Sequence, residues 1–451
     1  MTVKKKDDSK RDSWSNNFGF VMAAAGAAIG LGNIWRFPYT CGENGGGAFI
    51  MVYLLCVFFI GMPVLISELV IGRGSGQGGA ASFSSLVKKN KKLWYGLGFL
   101  GIFVGFLITS YYTIIAGWTL EYLWDALTGM FTGTNASSPD FFKEFMASDS
   151  RQIFWHLIFT VITVAILMGG VSGGIEKVAE VLMPILLFIL FGLAIYGLSL
   201  ESNMAEKAGE ATKALKFLFQ PDWSKFTGYS MFQALGQAAF SLSIAVGTMV
   251  AYGSYLDKKE NLTGLGAIVV CMDTMVGLLG GIVIFPIVFA FGLDPQAGTG
   301  LIFETLPNLF AQAPGGNILA PLFYLLLFFA ALTSSVSLLE PAITYLIDQF
   351  KVDRKMAALS TGVVSAALGI IWIFTNSLEL DGLFTNVDKL VSNLLVPLVA
   401  VGISIFMGWF VDKKFIREEL SQIPDFMFVI YRFLLKWVCP IVIGVILIRG
   451  L

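Results

Sequence analysis

Glycine, asparagine and serine stand in this chain at places where an apolar sequence seldom keeps them. The run GAAIGLGNIWRF, Gly26 to Phe37, lies in an apolar stretch otherwise long enough to cross a bilayer, yet it holds three glycines, an asparagine and an arginine. Each glycine costs a helix roughly 1 kcal/mol relative to alanine, so the run is a poor continuous helix. In hydrocarbon the bare backbone groups of a broken helix are expensive, and the break must be buried in protein or hold something. A second run, FSLSIAVG, interrupts another apolar stretch with Ser241, Ser243 and Gly247. Carbonyls freed from i to i−4 bonding, together with hydroxyls and a carboxamide, can replace the hydration shell of a hard cation. Freed N–H groups at the start of a half-helix suit a carboxylate. An ion and a small zwitterion are therefore the expected occupants. The alternative is that Gly26 and Gly30 merely let helices approach closely, in a small-xxx-small pattern.

The elements that must position these residues are membrane helices. The 451-residue chain is 56% hydrophobic and only 14% charged, with a mean hydropathy of +0.76, too little charge to cover a water-soluble protein of this length. A net charge of −1 with no basic patch gives no reason to expect a nucleic-acid partner. The lipid bilayer is the expected surrounding. At about 20 apolar residues per crossing, the sequence predicts an all-α polytopic membrane protein with 11 transmembrane helices, near 14–38, 47–72, 95–126, 153–170, 175–199, 229–256, 263–293, 318–350, 356–375, 389–411 and 427–449.

Putting the N-terminus inside places Arg73, Lys88, Lys89, Lys91, Lys92, Lys258, Lys259, Lys351, Arg354, Lys355, Lys413, Lys414 and Arg417 on the cytoplasmic side. The C-terminus then falls outside. The polar start, with Lys4, Lys5, Lys6 and Arg11, precedes an apolar run too long and glycine-rich for a cleaved signal peptide, so this end is expected to stay. The long connections near 127–152 and 200–228 read as extracellular caps with short helices, Leu215 to Phe219 being one apolar patch. Five spans separate the two interrupted segments, and an odd number reverses the topology of the second half. This predicts a 5+5 inverted repeat with discontinuous helices 1 and 6 and a site at the bilayer midplane. The expected division is a cytoplasmic tail 1–13, a first repeat 14–199, an extracellular connection 200–228, a second repeat 229–411, and the eleventh helix with its preceding loop, 412–451.

Cys41, Cys56, Cys271 and Cys439 have no metal or disulfide spacing and read as buried free thiols. His156, the only histidine, reads as a satisfied interfacial residue.

The run GLGNIWRFPYTCGENGGGAF, Gly30 to Phe49, resembles the first-helix signature of the neurotransmitter:sodium symporters, and most closely their bacterial, LeuT-like branch that carries hydrophobic amino acids. The resemblance extends through SYYTIIAGWTL (Ser110 to Leu120), GQAAFSLSIAVG (Gly236 to Gly247) and FFAALTSSVSLLEP (Phe328 to Pro341), nearly the whole chain. Many members have twelve spans, whereas eleven are read here.

The resemblance implies two sodium sites and no organic cofactor. One would use the Ala28 carbonyl, Asn33, Ser241 and, in span 7, Asp273, which stands where the family has asparagine. A carboxylate in an apolar span is a functional candidate in its own right. Asp273 is expected to supply the negative charge that chloride gives in animal relatives, so that chloride is not required; the alternative is a protonated carboxyl bonded to a neighbouring helix. The second site would use carbonyls of Gly26, Ile29 and Ala330 with the Thr333 and Ser334 hydroxyls. Those adjacent hydroxyls alone would be expected only to bond their own helix.

For the substrate, the N–H groups of Leu31 and Gly32 with the Tyr112 phenol would hold a carboxylate, and Phe240, Ser241 and Ser243 an ammonium. Ala28, Gly30, Ile108, Val246, Ser334 and Leu338 would complete the pocket. Gly30 offers no side chain where amine carriers of the family have aspartate, which implies a substrate that brings its own carboxylate. Val246 and Ala239 are small, leaving room for large or aromatic side chains. Arg36, Asp388 and Gln237 match an outer gate, and Arg11, Trp14, Ser254, Tyr255 and Asp348 an inner one, although Arg11 and Asp348 could be ordinary interfacial charges. Glu340 stands where some relatives have glutamine. Gly174 and Pro184 have a spacing that the family associates with unwinding of helix 5, because proline removes a backbone bond.

The implied function is sodium-coupled symport of hydrophobic, including aromatic, L-amino acids by alternating access across the cell membrane. An ion channel or a sodium-independent facilitator is the alternative, although no ring of filter residues appears. With one histidine and no GxSxG, HExxH or paired-acid motif, an enzyme is not expected.

Overall fold

A computed structural model describes residues 12–131, 141–203, 210–290, 302–377 and 383–450. The described residues are helical, without strands. Among the described residues, nine helices are long and apolar enough to cross a membrane: Gly47–Ser75, Lys91–Leu127, Asp149–Met168, Val171–Ser199, Leu262–Ala290, Gly316–Phe350, Arg354–Thr375, Asn386–Phe410 and Asp425–Ile448. They coincide with expected spans 2 to 5 and 7 to 11 to within a few residues. The other two expected spans are the interrupted ones. Span 1 consists of Asn17–Ala28 and Gly32–Glu43, bent by 51°. Span 6 consists of Gly228–Ser241 and Thr248–Gly253, each half too short to cross alone.

Different physics breaks each helix. In span 1, Ile29 turns extended (ψ 100°) directly after Ala28, and Gly30 permits a close crossing. In span 6, Ser243, Ala245 and Gly247 all take positive φ (48°, 66° and 80°), a conformation through which a right-handed helix cannot continue. The Thr227 hydroxyl and Ser230 form a capping box that starts the first half, Gly228–Ser241.

Spans 3 and 8 pack together along much of their length and form a central wall. Gly105 of span 3 makes this wall thin where it meets the span 6 break, since a Cβ there would lie 2.7 Å from the Val246 carbonyl oxygen. Among the short helices, Glu210–Phe219 contains the expected Leu215 to Phe219 patch, and Phe141–Met146 and Thr305–Gln312 lie in other connections.

Two expectations need correction. His156 is fully buried rather than interfacial: Gly117 and Gly369 leave a slot for its backbone and ring, and Nε2 lies 3.2 Å from the Ala366 carbonyl oxygen. Cys271 is exposed on the outer face of span 7, whereas Cys41, Cys56 and Cys439 are buried thiols as expected. Span 5, which Gly174 and Pro184 are expected to let unwind, opens with a wide turn, Val171–Glu176, that contains Gly174, and then runs continuously through the proline. Gly174 is needed for proximity, because a Cβ there would sit 2.1 Å from the Ile166 carbonyl oxygen.

Close backbone packing also fixes span 2 against the second half of span 6, Thr248–Gly253. A Cβ on Gly72 would lie 2.0 Å from the Val250 carbonyl oxygen, and backbone cannot swing aside as a side chain can. Gly72→Ala should destabilise the fold by about 1 to 3 kcal/mol and lower the thermal-aggregation midpoint of the detergent-purified protein. Gly96→Ala, with nothing within 4 Å of its Cβ, should leave that midpoint unchanged or raise it.

Candidate functional site

The two breaks meet in the interior. Ser243 donates its hydroxyl to the Ala27 carbonyl at 2.8 Å, tying break to break. Beside this link, the Asn33 amide nitrogen donates to Asp273 Oδ1 at 2.7 Å, to the Asp273 carbonyl at 3.0 Å and to Ser241 Oγ at 2.9 Å. The Ser241 hydroxyl lies 2.9 Å from both Asp273 carboxylate oxygens. Asn33 Oδ1 accepts the Gly30 N–H at 3.1 Å. Asn33, Ser241 and Asp273 are all buried, with Tyr53 packed beside the carboxylate. Among the described residues Asp273 has no cationic side chain as an ion-pair partner. A negative charge at that depth is expensive without a counter-ion, so the cluster is electrostatically suited to a cation.

The adjacent hydroxyls of span 8 divide. Thr333 bonds within its own helix, to the Phe329 and Ala330 carbonyls at 3.0 and 3.2 Å, as an isolated membrane-helix threonine would. Ser334 instead points across to span 1, 3.2 Å from the Gly26 carbonyl oxygen and 3.4 Å from those of Ala27 and Ile29. Gly26 makes this approach possible, because its Cβ would stand 3.0 Å from that of Thr333. Gly26, Ile29, Ala330, Thr333 and Ser334 are thus brought together.

A cavity between these clusters is lined by Ala28, Gly30, Gly32, Ile108, Tyr112, Ala239, Phe240, Ser241, Ser243, Val246, Ser334 and Leu338, every expected pocket residue except Leu31. The Leu31 N–H donates to the Tyr112 hydroxyl at 3.3 Å, at the boundary with an adjoining outer cavity. A Cβ on Gly30 would lie 2.6 Å from Ser334 Oγ and 3.2 Å from the Tyr112 hydroxyl, and one on Gly32 would lie 2.8 Å from the Phe240 ring. Side chains of Val396, Pro397 and Ala400 in span 10 extend the apolar lining, a contribution the sequence reading missed.

At one end of the cavity, Arg36 and Asp388 line the same adjoining cavity but do not form the expected ion pair. The Arg36 guanidinium stacks 4.7 Å from the centre of the Phe240 ring, while Asp388 accepts the Tyr111 hydroxyl at 3.1 Å and Ser392 at 3.5 Å. Each charge is held by a different neighbour. Gln237 donates to the Gly32 carbonyl at 2.9 Å.

At the opposite end Trp14 donates its indole N–H to the Tyr252 carbonyl at 3.0 Å and its ring meets Tyr255 edge-on. Ser254 bonds the Ala251 carbonyl of its own turn, and Asp348 accepts the Gly78 N–H at 3.1 Å. Arg11 lies outside the described residues. Among the described residues an ion pair that was not foreseen lies here: Arg354 donates two bonds to Glu340, at 3.0 and 2.7 Å, and the Tyr255 hydroxyl donates a third at 2.8 Å.

Three further carboxylates were missed. Glu176 accepts the N–H groups of Ser15 and Asn16 at 2.9 and 3.2 Å, capping the start of span 1. Asp12 in return accepts the Val171 N–H at 2.6 Å and the Ser172 hydroxyl at 3.2 Å at the start of span 5. Glu68, fully buried in span 2, accepts the Ala245 N–H at 3.3 Å and braces the positive-φ segment of span 6. The available signal was the one that singled out Asp273, a lone acid in or beside an apolar run.

A model of the sodium:neurotransmitter symporter family matches residues 11–147 and 145–451. A sodium-dependent transporter of Haemophilus influenzae is 34% identical over 99% of both chains, and the sodium-dependent transporter YhdH of Bacillus subtilis is 33% identical over 98% of both. Among solved structures, MhsT in complex with L-phenylalanine superposes with a TM-score of 0.89 at 37% identity, covering 98% of this chain and all of that one. These relatives are transporters, and the helices, the paired breaks and the sequence agreement place the chain among multi-pass membrane proteins of LeuT-like fold. The chain belongs to the sodium:neurotransmitter symporter family.

Proposed function

We propose that this protein is a symporter in which sodium, moving down its gradient, draws a hydrophobic L-amino acid, aromatic ones included, into the cell by alternating access. The observation that carries the reading is the bonding of the two broken helices to each other and to one buried carboxylate, around a cavity with apolar walls. The solved relative that holds L-phenylalanine supports the substrate class.

In this reading Ala28, Asn33, Ser241 and Asp273 take one sodium ion, and Gly26, Ile29, Ala330, Thr333 and Ser334 a second. Asp273 supplies a fixed negative charge, so chloride is not needed. Leu31, Gly32 and Tyr112 receive the substrate carboxylate. Phe240 and Ser241 offer a carbonyl and a hydroxyl to the ammonium, and Ser243, already bonded to Ala27, acts mainly as the tie between breaks. Ile108, Ala239, Val246 and Leu338 face the side chain. The crowding of Gly30 by Ser334 and Tyr112 adds a steric reason to the electrostatic one for excluding an aspartate there.

Arg36, Asp388, Tyr111 and Phe240 form the outer gate, which closes when guanidinium and carboxylate approach. Trp14, Tyr255, Glu340 and Arg354 form the inner one, and the reciprocal Asp12 and Glu176 caps hold span 1 to span 5 until Gly174 and the turn around it rearrange. The N-terminus is placed in the cytoplasm of a cell whose plasma membrane holds the protein, on the basic residues of the loops. The two five-helix units remain 14–199 and 229–411, with the eleventh helix outside the repeat.

Uptake of radiolabelled L-phenylalanine and L-leucine into proteoliposomes should rise steeply with an inward sodium gradient and vanish when potassium replaces sodium. Equal uptake without sodium would favour a facilitator, and unitary currents a channel. Asp273→Ser should lower uptake in chloride-free buffer by at least about tenfold, a loss of about 1.4 kcal/mol, with partial recovery on adding chloride. Normal chloride-free transport by this variant would refute the charge-replacement role. Glu176→Ala removes the cap of span 1 and should weaken apparent sodium affinity by about fivefold or more in equilibrium binding. An unchanged sodium titration would remove Glu176 from the gate.

A further inference from the structure

Arg432 and Lys436 lie one helical turn apart on span 11, inside the apolar segment Asp425–Ile448, the least buried of the spanning helices. Both turn toward the end of span 10. Arg432 Nη1 donates to the Met407 carbonyl at 2.6 Å, and Lys436 Nζ sits 4.1 Å from the centre of the Trp409 ring and 5.7 Å from that of Trp437. The two indoles meet edge-on at 4.9 Å, and the Trp409 N–H donates to the Lys436 carbonyl at 3.1 Å, so the frame is rigidly built. Among the described residues no carboxylate lies within salt-bridge distance of either cation. Their surroundings are exposed apolar side chains, Phe410 and Phe433 with the two tryptophans.

Two like charges in such a place repel one another and are costly to keep in an apolar belt. A carbonyl and ring faces orient them without neutralising them. An anion from outside the chain would do so. Tryptophans mark the membrane–water boundary, and span 10 leads directly from Trp409 into the basic connection carrying Lys413, Lys414 and Arg417. The anion available at that level, with acyl chains to cover the apolar flanks, is a phospholipid headgroup.

We propose that Arg432 and Lys436, framed by Trp409 and Trp437, form a binding site for the phosphate of an anionic phospholipid. The site lies on the outer face of spans 10 and 11, apart from the transport cavity, and its occupant is a lipid that stays with the protein.

The test is native mass spectrometry of the full chain, titrated in detergent with phosphatidylglycerol and, separately, with phosphatidylcholine. The wild type should prefer phosphatidylglycerol, and Arg432→Gln/Lys436→Gln should lose that preference by about tenfold or more. Arg432→Lys/Lys436→Arg, which keeps both charges, should retain it, and so should Lys413→Gln/Lys414→Gln on the neighbouring connection. Sodium-dependent phenylalanine binding in each sample reports that the variant is folded. Equal binding of both lipids by the wild type, undiminished preference in the double-glutamine variant, or loss of preference only in the Lys413/Lys414 variant would overturn the proposal. So would a lipid-independent dimer abolished by the double-glutamine change, which would give the cations to a second copy of the chain.

Discussion

Backbone polar groups in a bilayer have no water to turn to, and a helix broken at midplane must find partners for them inside the protein. Much of this architecture follows from that demand. The Ala27 carbonyl takes Ser243, the carbonyls of Gly26 and Ile29 take Ser334, the Gly32 carbonyl takes Gln237, the Gly30 N–H finds Asn33, and the Ala245 N–H finds Glu68. Each partner comes from across a break or from another helix. The polar interior is therefore a set of exchangeable bonds, in which an oxygen now holding a proton donor can equally hold an ion.

The same physics joins the site to the ends of the molecule. Half-helices move more readily than whole ones, and here their ends are held by carboxylates: Glu176 on the start of span 1, Asp12 on the start of span 5, and Glu340 between Tyr255 and Arg354. Charge-assisted bonds of this kind are strong while dry and weaken when water enters. At the other end Arg36 and Asp388 are each held by an aromatic residue instead of by one another. The two ends thus differ in kind, one held by an ion pair and the other with its charges apart.

Much of the site was legible because unusual letters in an apolar sequence have few innocent explanations. Asn33, Ser241 and Asp273 stand far apart in the chain and converge within hydrogen-bond distance, and two separate clusters of small and hydroxyl residues meet at Ser334. What was misread were local geometries and partners. Gly174 serves a close approach to the Ile166 carbonyl that its spacing to Pro184 does not announce. Glu340 and Arg354 pair although they sit in different spans, and no spacing rule links them. His156 was placed at an interface because it begins an apolar run, whereas Gly117 and Gly369 make room for it in the core.

The sequence by itself determined the all-helical membrane class and the places of the two breaks, because hydrocarbon penalises every charge and every unpaired backbone group and so makes exceptions conspicuous. Only the tertiary structure decided which exceptions face one another: that Ser243 ties break to break while Ser241 joins Asp273, that Thr333 bonds its own helix while its neighbour crosses to span 1, and that Arg36 stacks on Phe240. Those choices depend on helix rotation and on contacts of a few tenths of an ångström between distant segments. Such distances are set by how whole helices pack, and composition and spacing along one of them do not contain them.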